Sequence, residues 1–170
     1  MAEKILPRGI LRDCMLWADR ESKLGQIGDM TIPVIEAKRE GMRNAGMIKE
    51  RQIHLGYNAQ ELNFKMPGLD PQILKLHGIK IGVENPFLIT GALVDEDGTT
   101  HSAVISIRAK LYKVDHGSWK PGDLAENDIG VDVNYYKLEI DGEEIYEIDD
   151  FEFKVGGVSQ NGDIRNALLL

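Results

Sequence analysis

The sequence predicts a mainly β protein, an antiparallel sandwich or distorted barrel with one short α-helix, on three observations. Apolar and polar residues alternate through several runs, the pattern of strands with one buried face. Aspartate-glycine pairs fall between such runs at Asp97-Gly98 and Asp141-Gly142, where hairpin tips need positive φ angles. Only the stretch PGLDPQILKLHG, Pro67 to Gly78, carries helix start and stop signals, which argues against repeated βαβ units.

Taken in order, Gly9 to Asp19 (GILRDCMLWAD) is apolar enough for a short strand, and ADRESKLG is a polar connection. QIGDMTIPVIEAKRE follows, rich in β-branched residues. Its Pro33 lacks a ladder donor, so it suits an edge, a bulge or a strand end. GMRNAGMIKERQ, with two glycines, an asparagine and long charged side chains, reads as an extended loop. In YNAQELNFKM, Leu62, Phe64 and Met66 share one face and Glu61, Asn63 and Lys65 the other, and the expected partner is QIGDMTIPVIEAK. In the helix, Asp70 caps, Pro71 takes the first position, Ile73, Leu74 and Leu76 or His77 face inward, and Gly78 stops it. Four β runs follow: NPFLITGALVDEDG, TTHSAVISIRAKLYKVD, NDIGVDVNYYKLEID and EEIYEIDDFEFKV. The turn-rich HGSWKPGDLAEN between the second and third is expected to be anchored by Trp119. The apolar face of the last hairpin, Leu138, Ile140, Ile148, Phe151 and Phe153, is expected to be core.

A length of 170 residues suits one domain, 1–170, with a full core. With 42% hydrophobic and 28% charged residues the chain has the make-up of an ordinary globular protein, not of a disordered or coiled-coil one. No apolar run approaches the roughly 20 residues that span a bilayer, and MAEKILPRGILRD lacks the apolar core of a signal peptide, so the expectation is cytoplasmic synthesis with no membrane partner. The single cysteine, Cys14, excludes an intrachain disulfide and is expected to pack as a small hydrophobe.

The net charge of −8 is unevenly spread. Pro121 to Phe153 holds twelve carboxylates against one base, Lys137, whereas Glu36 to Arg51 carries Lys38, Arg39, Arg43, Lys49 and Arg51 against three glutamates. Acidic faces keep strands soluble; opposed basic and acidic regions also suit head-to-tail contact between copies.

Chemistry-bearing motifs are lacking. His54, His77, His101 and His116 stand too far apart for a local metal site. DEDGTTHSAVIS opens like a calcium loop but has Ser106 where a bidentate glutamate belongs, and GVSQN lacks the second glycine of a nucleophile elbow. The expectation is no catalytic, cofactor or metal site. Affinity for nucleic acid needs clustered bases, which an acidic chain does not provide, although carboxylates along a path let a duplex slide by without sticking.

The pieces in order resemble the major tail tube proteins of contractile-tailed bacteriophages and related phage-tail-like bacteriocins. The resemblance runs through MLWADRESKLGQIGDMTIPVIEAKREGMRNAG, then LNFKMPGLDPQILKLHG, and is most specific in YYKLEIDGEEIYEIDDFEFKVGGVSQNGDIRNALLL.

It implies a β-sandwich with two protruding hairpins, six copies closing a ring, and rings stacking into a tube. The arms fall near Gln26 to Lys38 with Tyr57 to Met66, and His101 to Lys113 with Asp128 to Ile140. Four strands from each of six subunits make a 24-stranded barrel with a bore of roughly 40 Å. Lumen-facing candidates are Glu61, Asn63, Lys65, Ser106, Arg108, Lys110, Asp132, Lys137 and Glu139, a set of mixed sign. Lys38, Arg39, Arg43, Lys49 and Arg51 are placed on a loop reaching the next ring, and the acidic hairpin on the outer face. Implied partners are further copies of the chain, a tail sheath protein, baseplate and tail-terminator proteins, a tape measure protein in the lumen, and genomic DNA in transit without sequence-specific binding. The implied setting is the virion. Two other readings stand beside it: the tube of a tailocin, type VI or other contractile injection system, and a monomeric β-sandwich binding module. The second should expose an aromatic patch, and only 6% of residues are aromatic.

Overall fold

In a computed structural model describing residues 7–78 and 80–170, the chain opens with β1 (Ile10–Ala18), β2 (Glu21–Ser22), β3 (Met30–Thr31), β4 (Ala37–Met42), β5 (Arg51–Tyr57) and β6 (Gln60–Pro67). Helix α1 (Pro71–Lys75) follows, then β7 (Asn85–Val94), β8 (Thr100–Asp115), β9 (Glu126–Ile140), β10 (Glu143–Ile148), β11 (Phe153–Val155), β12 (Val158–Ser159) and α2 (Gly162–Ala167). Met1 to Leu6, which bear on the reading of the N-terminus, lie outside the described residues. Among the described residues, no helix is long and apolar enough to cross a membrane.

The main sheet is antiparallel and branches at β9. Its path runs β12-β11-β10-β9-β8-β7-β1-β2, and β6 joins β9 as a side branch that in turn carries β3. Strand β9 is long enough to serve two partners on one edge, β6 along Glu126 to Val133 and β10 along Tyr136 to Ile140. Asn134 lies between the two pairings, at a register shift in the β8–β9 ladder that sets Arg108 opposite Tyr135 and Ala109 opposite Val133. An unpaired extra residue of this kind bends a strand and turns its two halves apart.

One face of this sheet is the core, and alternation decides which. Gln60, Leu62, Phe64 and Met66 of β6 are buried while Glu61 and Lys65 are exposed, as the period of two predicts. Their neighbours Ile129, Val131 and Val133, then Ile105, Ile107, Ala109 and Leu111, continue the apolar surface to Phe87, Ile89 and Leu16. Each fully buried side chain of this size contributes about 1.5–3 kcal/mol from burial alone. Helix α1 closes one end of this core. The Asp70 carboxylate accepts from the Gln72 N–H at 2.8 Å, Pro71 sits in the first turn, and Ile73 is buried with Leu76 packed beside it. The two predicted hairpin tips are present between β7 and β8 and between β9 and β10, the second with Asp141 and Gly142 both at positive φ.

Several expectations are corrected. QIGDMTIPVIEAKRE is not one long arm strand: it runs along β6 only from Gly28 to Thr31, with Met30–Thr31 as the strand, and the long partner of β6 is β9. The supposed loop from Gly41 onward belongs to a separate two-stranded sheet, β4–β5, because Arg51 to Tyr57 is extended and pairs with Ala37 to Met42. There are two short helices among the described residues instead of one, since Gly162–Ala167 forms a second helix that starts after its N-cap residue Asn161. Cys14 is exposed in the middle of β1, whose buried positions begin only at Leu16. Trp119 is 67% exposed and anchors nothing; its indole N–H donates to the nearby His116 carbonyl. Phe151 is 76% exposed because it sits in the turn between β10 and β11, out of phase with the strands that bury Ile148 and half-bury Phe153.

Candidate assembly interfaces

All nine lumen-facing candidates lie on the face of the sheet opposite the core, but the structure divides them. Glu61, Asn63 and Lys65 on β6 line up against Asp132, Gly130 and Asp128 on β9, and Asp132 lies against Lys110 of β8. Ser106 and Arg108 lie where β7 still flanks β8, opposite Lys137 and Tyr135. Only the first group, with Asp132 and Lys110, belongs to the part of the sheet that extends past β7. Lys137 and Glu139 instead form a cluster with Glu144, at 3.2 and 3.4 Å from the lysine Nζ.

The mixed signs on this face are resolved by local pairing. Lys113 Nζ is 2.7 Å from Asp128, whose carboxylate raises the lysine pKa, and Lys65 lies 3.8 Å from Glu126. Tyr112, the extra residue of a second bulge, lays its ring over Gly130, where a Cβ would sit 2.7 Å from the ring. From there its hydroxyl donates to Glu61 at 3.2 Å. Arg108 stacks over the Tyr135 ring at 4.5 Å, and the Tyr135 hydroxyl donates to Glu147 at 2.8 Å, which holds that carboxyl below its usual range. Lys154 and Glu152 carry the chain of contacts on to Arg165 of α2.

One sheet edge is unpaired and another only partly covered. Strand β7 covers β8 only from Thr100 to Ala109, so among the described residues Lys110 to Asp115 have β9 on one side and nothing on the other. The outer edge of β6 is covered only from Asn63 to Lys65, by the two residues of β3 and by backbone bonds between Lys65 and Gly28 and Asp29. Such edges present rows of free N–H and C=O groups that template pairing with another chain.

The five basic candidates Lys38, Arg39, Arg43, Lys49 and Arg51 all lie on the β4–β5 hairpin or its tip, and all are exposed. None forms an ion pair among the described residues. The hairpin is tied to the body at its root, where the Tyr57 and Phe153 rings meet at 4.9 Å and Asn58 donates from its backbone to the Glu36 carbonyl. Met42, Ile53, Leu55 and Tyr57 are apolar and exposed along it.

A feature that sequence reading missed joins the two aspartate-bearing turns. His101 Nδ1 lies 2.5 Å from Asp141 and Nε2 3.4 Å from Asp95, while Asp141 also accepts from the Ser102 N–H and Asp95 from the Gly9 N–H. Hydrogen bonding to Asp141, joined by Asp95, raises the His101 pKa above the ordinary 6.5. The charged imidazolium therefore stabilises the fold fully below 6.5, and this contribution is lost as pH rises through the higher folded value. NMR titration of the imidazole is expected to place His101 above 6.5, and His101→Gln to remove the loss of thermal stability across that window. A wild-type midpoint at or below 6.5 would contradict the latch. An aspartate at each of two turns and a histidine beginning the intervening strand were the available signal.

The comparisons with known proteins agree with this architecture. The family described as Phage tail tube protein FII matches residues 7–168. The tail tube protein of Escherichia phage P2 is 28% identical over 142 residues, covering 80% of this chain and 83% of the relative. The major tail tube protein of Serratia phage KSP20 is 26% identical over 146 residues, covering 84% of each. Among solved structures, a chain from the sheath-tube complex of the extracellular contractile injection system PVC aligns with a TM-score of 0.54 at 12% identity, covering 81% of this chain and 93% of that one. A chain from the tube-terminating cap of the anti-feeding prophage aligns at 0.55 and 11%, covering 82% and 93%. With the family match spanning nearly its whole length, the chain belongs to the FII family of phage tail tube proteins.

Proposed function

We propose that this tail tube protein works only as a polymer: six copies close a ring through their free sheet edges, and rings stack into a hollow tube. The observation that carries the reading is the bare edge of β8 from Lys110 to Asp115, on the opposite side of the sheet from the β3–β6 edge, where only the two residues of β3 and the Gly28 and Asp29 backbone groups cover β6. Joining one to the other around a ring satisfies both rows of backbone groups and leaves no edge exposed. Four strands per copy, β3, β6, β9 and β8, give 24 strands and a bore of roughly 40 Å. The face carrying Glu61, Asn63, Lys65, Lys110 and Asp132 then lines the channel, and its lysines at 65 and 113 are engaged by neighbouring carboxylates. A polyanion meets few free cations there, which suits transit of DNA without retention.

The role is structural, a virion component without an active site. Its partners are other copies, a surrounding sheath, and baseplate and terminator proteins at the ends; the similar solved chains come from sheath-tube, baseplate and cap assemblies. A tape measure protein in the lumen completes the set. The whole sequence acts as one tube domain, with the β4–β5 hairpin reaching beyond its own ring. Negative-stain microscopy of the concentrated protein is expected to show six-fold rings and rods with a central channel. Monomers with no channel at any concentration would rule the reading out.

A further inference from the structure

We infer that the groove at the root of the β4–β5 hairpin receives the tip of that hairpin from a second copy. The inference rests on the tube reading above and names the two surfaces that meet.

The groove has a volume of about 690 Å³ and lies between the hairpin root, the turn from Asp149 to Glu152 and the start of α2. Tyr57, Val133, Ile148, Phe151, Phe153 and Ile164 supply its apolar lining. Gln60 also lines it, only 8% exposed, and its side-chain Nε2 has no hydrogen-bond acceptor. A buried amide donor left unpaired is unfavourable, and this one lies under the groove's surface. The rim is acidic. Asp149 accepts from the N–H groups of Phe151 and Glu152 at 2.7 and 2.8 Å, which props Phe151 into solvent. Neither Asp149 nor Asp150 has a cationic partner among the described residues.

The hairpin tip is complementary in each respect. Ile48 is 96% exposed, an apolar knob among Arg43, Lys49 and Arg51. The tip is a shaped turn: Met47 N–H donates to the Asn44 carbonyl at 3.1 Å and Arg43 Nε to the Met47 carbonyl at 3.2 Å. Inserted in the groove, Ile48 covers Phe151 and Ile164, and the bases meet Asp149 and Asp150. The tip cannot reach its own root, since six strand residues separate them by roughly 20 Å. Giving and receiving surfaces therefore lie apart on one chain, the arrangement that propagates from copy to copy instead of closing a dimer.

The test is a cysteine pair, Ile48→Cys with Phe151→Cys, in a Cys14→Ser background, oxidised after assembly and run on a non-reducing gel. A covalent ladder longer than dimer in the double variant, absent from each single one, supports the docking. Tubes visible by microscopy without a ladder overturn it and leave the tube reading standing; wild-type protein that never forms tubes removes both. Should the cysteines themselves block assembly, charge exchange decides. Arg43→Glu with Lys49→Glu, and Asp149→Lys with Asp150→Lys, should each slow growth by at least about tenfold, and the chain carrying all four should recover. Growth that stays lost in the fourfold variant, or is never lost in either pair, overturns the docking.

Discussion

Asp70→Ala is expected to lower the free energy of unfolding by about 4 kcal/mol, because it removes two supports at once. Asp70 is the N-cap of α1 and also the partner of Lys23, whose Nζ lies 2.8 Å from the carboxylate. Lys23 is only 3% exposed, an ammonium held inside the fold by Asp70, by the side-chain oxygen of Gln72 at 2.5 Å and more distantly by Glu21 at 3.7 Å. Removing the carboxylate strands that charge away from water, which is far costlier than losing an exposed ion pair. Lys23→Met should cost about 3 kcal/mol by leaving Asp70 without its cation, and Asp70→Asn less than Asp70→Ala, because an amide oxygen still caps. The double variant Lys23→Met with Asp70→Asn should cost clearly less than the sum, since neither charge is then left alone. Burial acts to raise the Asp70 pKa, but the hydrogen bonds from Lys23 and Gln72 outweigh it and the net shift is downward. The contribution is therefore present above the ordinary 3.8 and disappears as pH falls through the lower folded value. Urea titrations of the wild type and the four variants at neutral and acid pH check all of this, and additive losses would show that the two groups do not act as a pair.

Reversing Arg39 and Arg43 to glutamate should abolish tube elongation while leaving the subunit's thermal midpoint within a degree or two of the wild type. Arg39 is exposed on β4 and Arg43 at the hairpin tip, and the β4–β5 hairpin contributes no side chain to the buried core, so folding has no stake in their charge. Between Ala37 and Tyr57 the wild-type hairpin carries five bases against Glu40 and Glu50, a balance the two reversals turn from net positive to net negative. Contact with an acidic neighbour then becomes repulsion, and growth followed by light scattering should stop at the ring or monomer. Elongation of the wild type should likewise slow as salt rises, since the Debye length shortens from about 10 Å at 0.1 M to about 3 Å at 1 M. Normal growth of the reversed variant would show that the hairpin's charge plays no part.

The fold was legible wherever one strand face is buried. Leu62, Phe64 and Met66 were placed in the core by period alone, and Asp70, Pro71 and Ile73 defined α1 by their chemistry. The β4–β5 hairpin was not legible as a sheet. Ile53, Leu55 and Tyr57 do alternate with polar residues, but the two glycines and Asn44 around its tip read as loop, and no buried face contradicted that reading. Phe151 and Cys14 show the opposite failure: both have apolar character, and both lie where their own chain offers no cover. The groove around Gln60 was invisible for the same reason, being assembled from segments nearly a hundred residues apart.

By itself the sequence determined the antiparallel β class, the strands that face the core, the capped helix, the segregation of basic and acidic charge and, through resemblance, the tail tube family. Those properties are local, or are sums over local choices: a side chain's side of a strand follows from its parity, and a cap from its own hydrogen bond. Tertiary structure alone decided that β9 serves both β6 and β10, that β8 ends in an unpaired edge, and that Lys23 is buried against Asp70. Each of these depends on which distant segments meet, and backbone pairing carries no side-chain code strong enough to name its partner in advance.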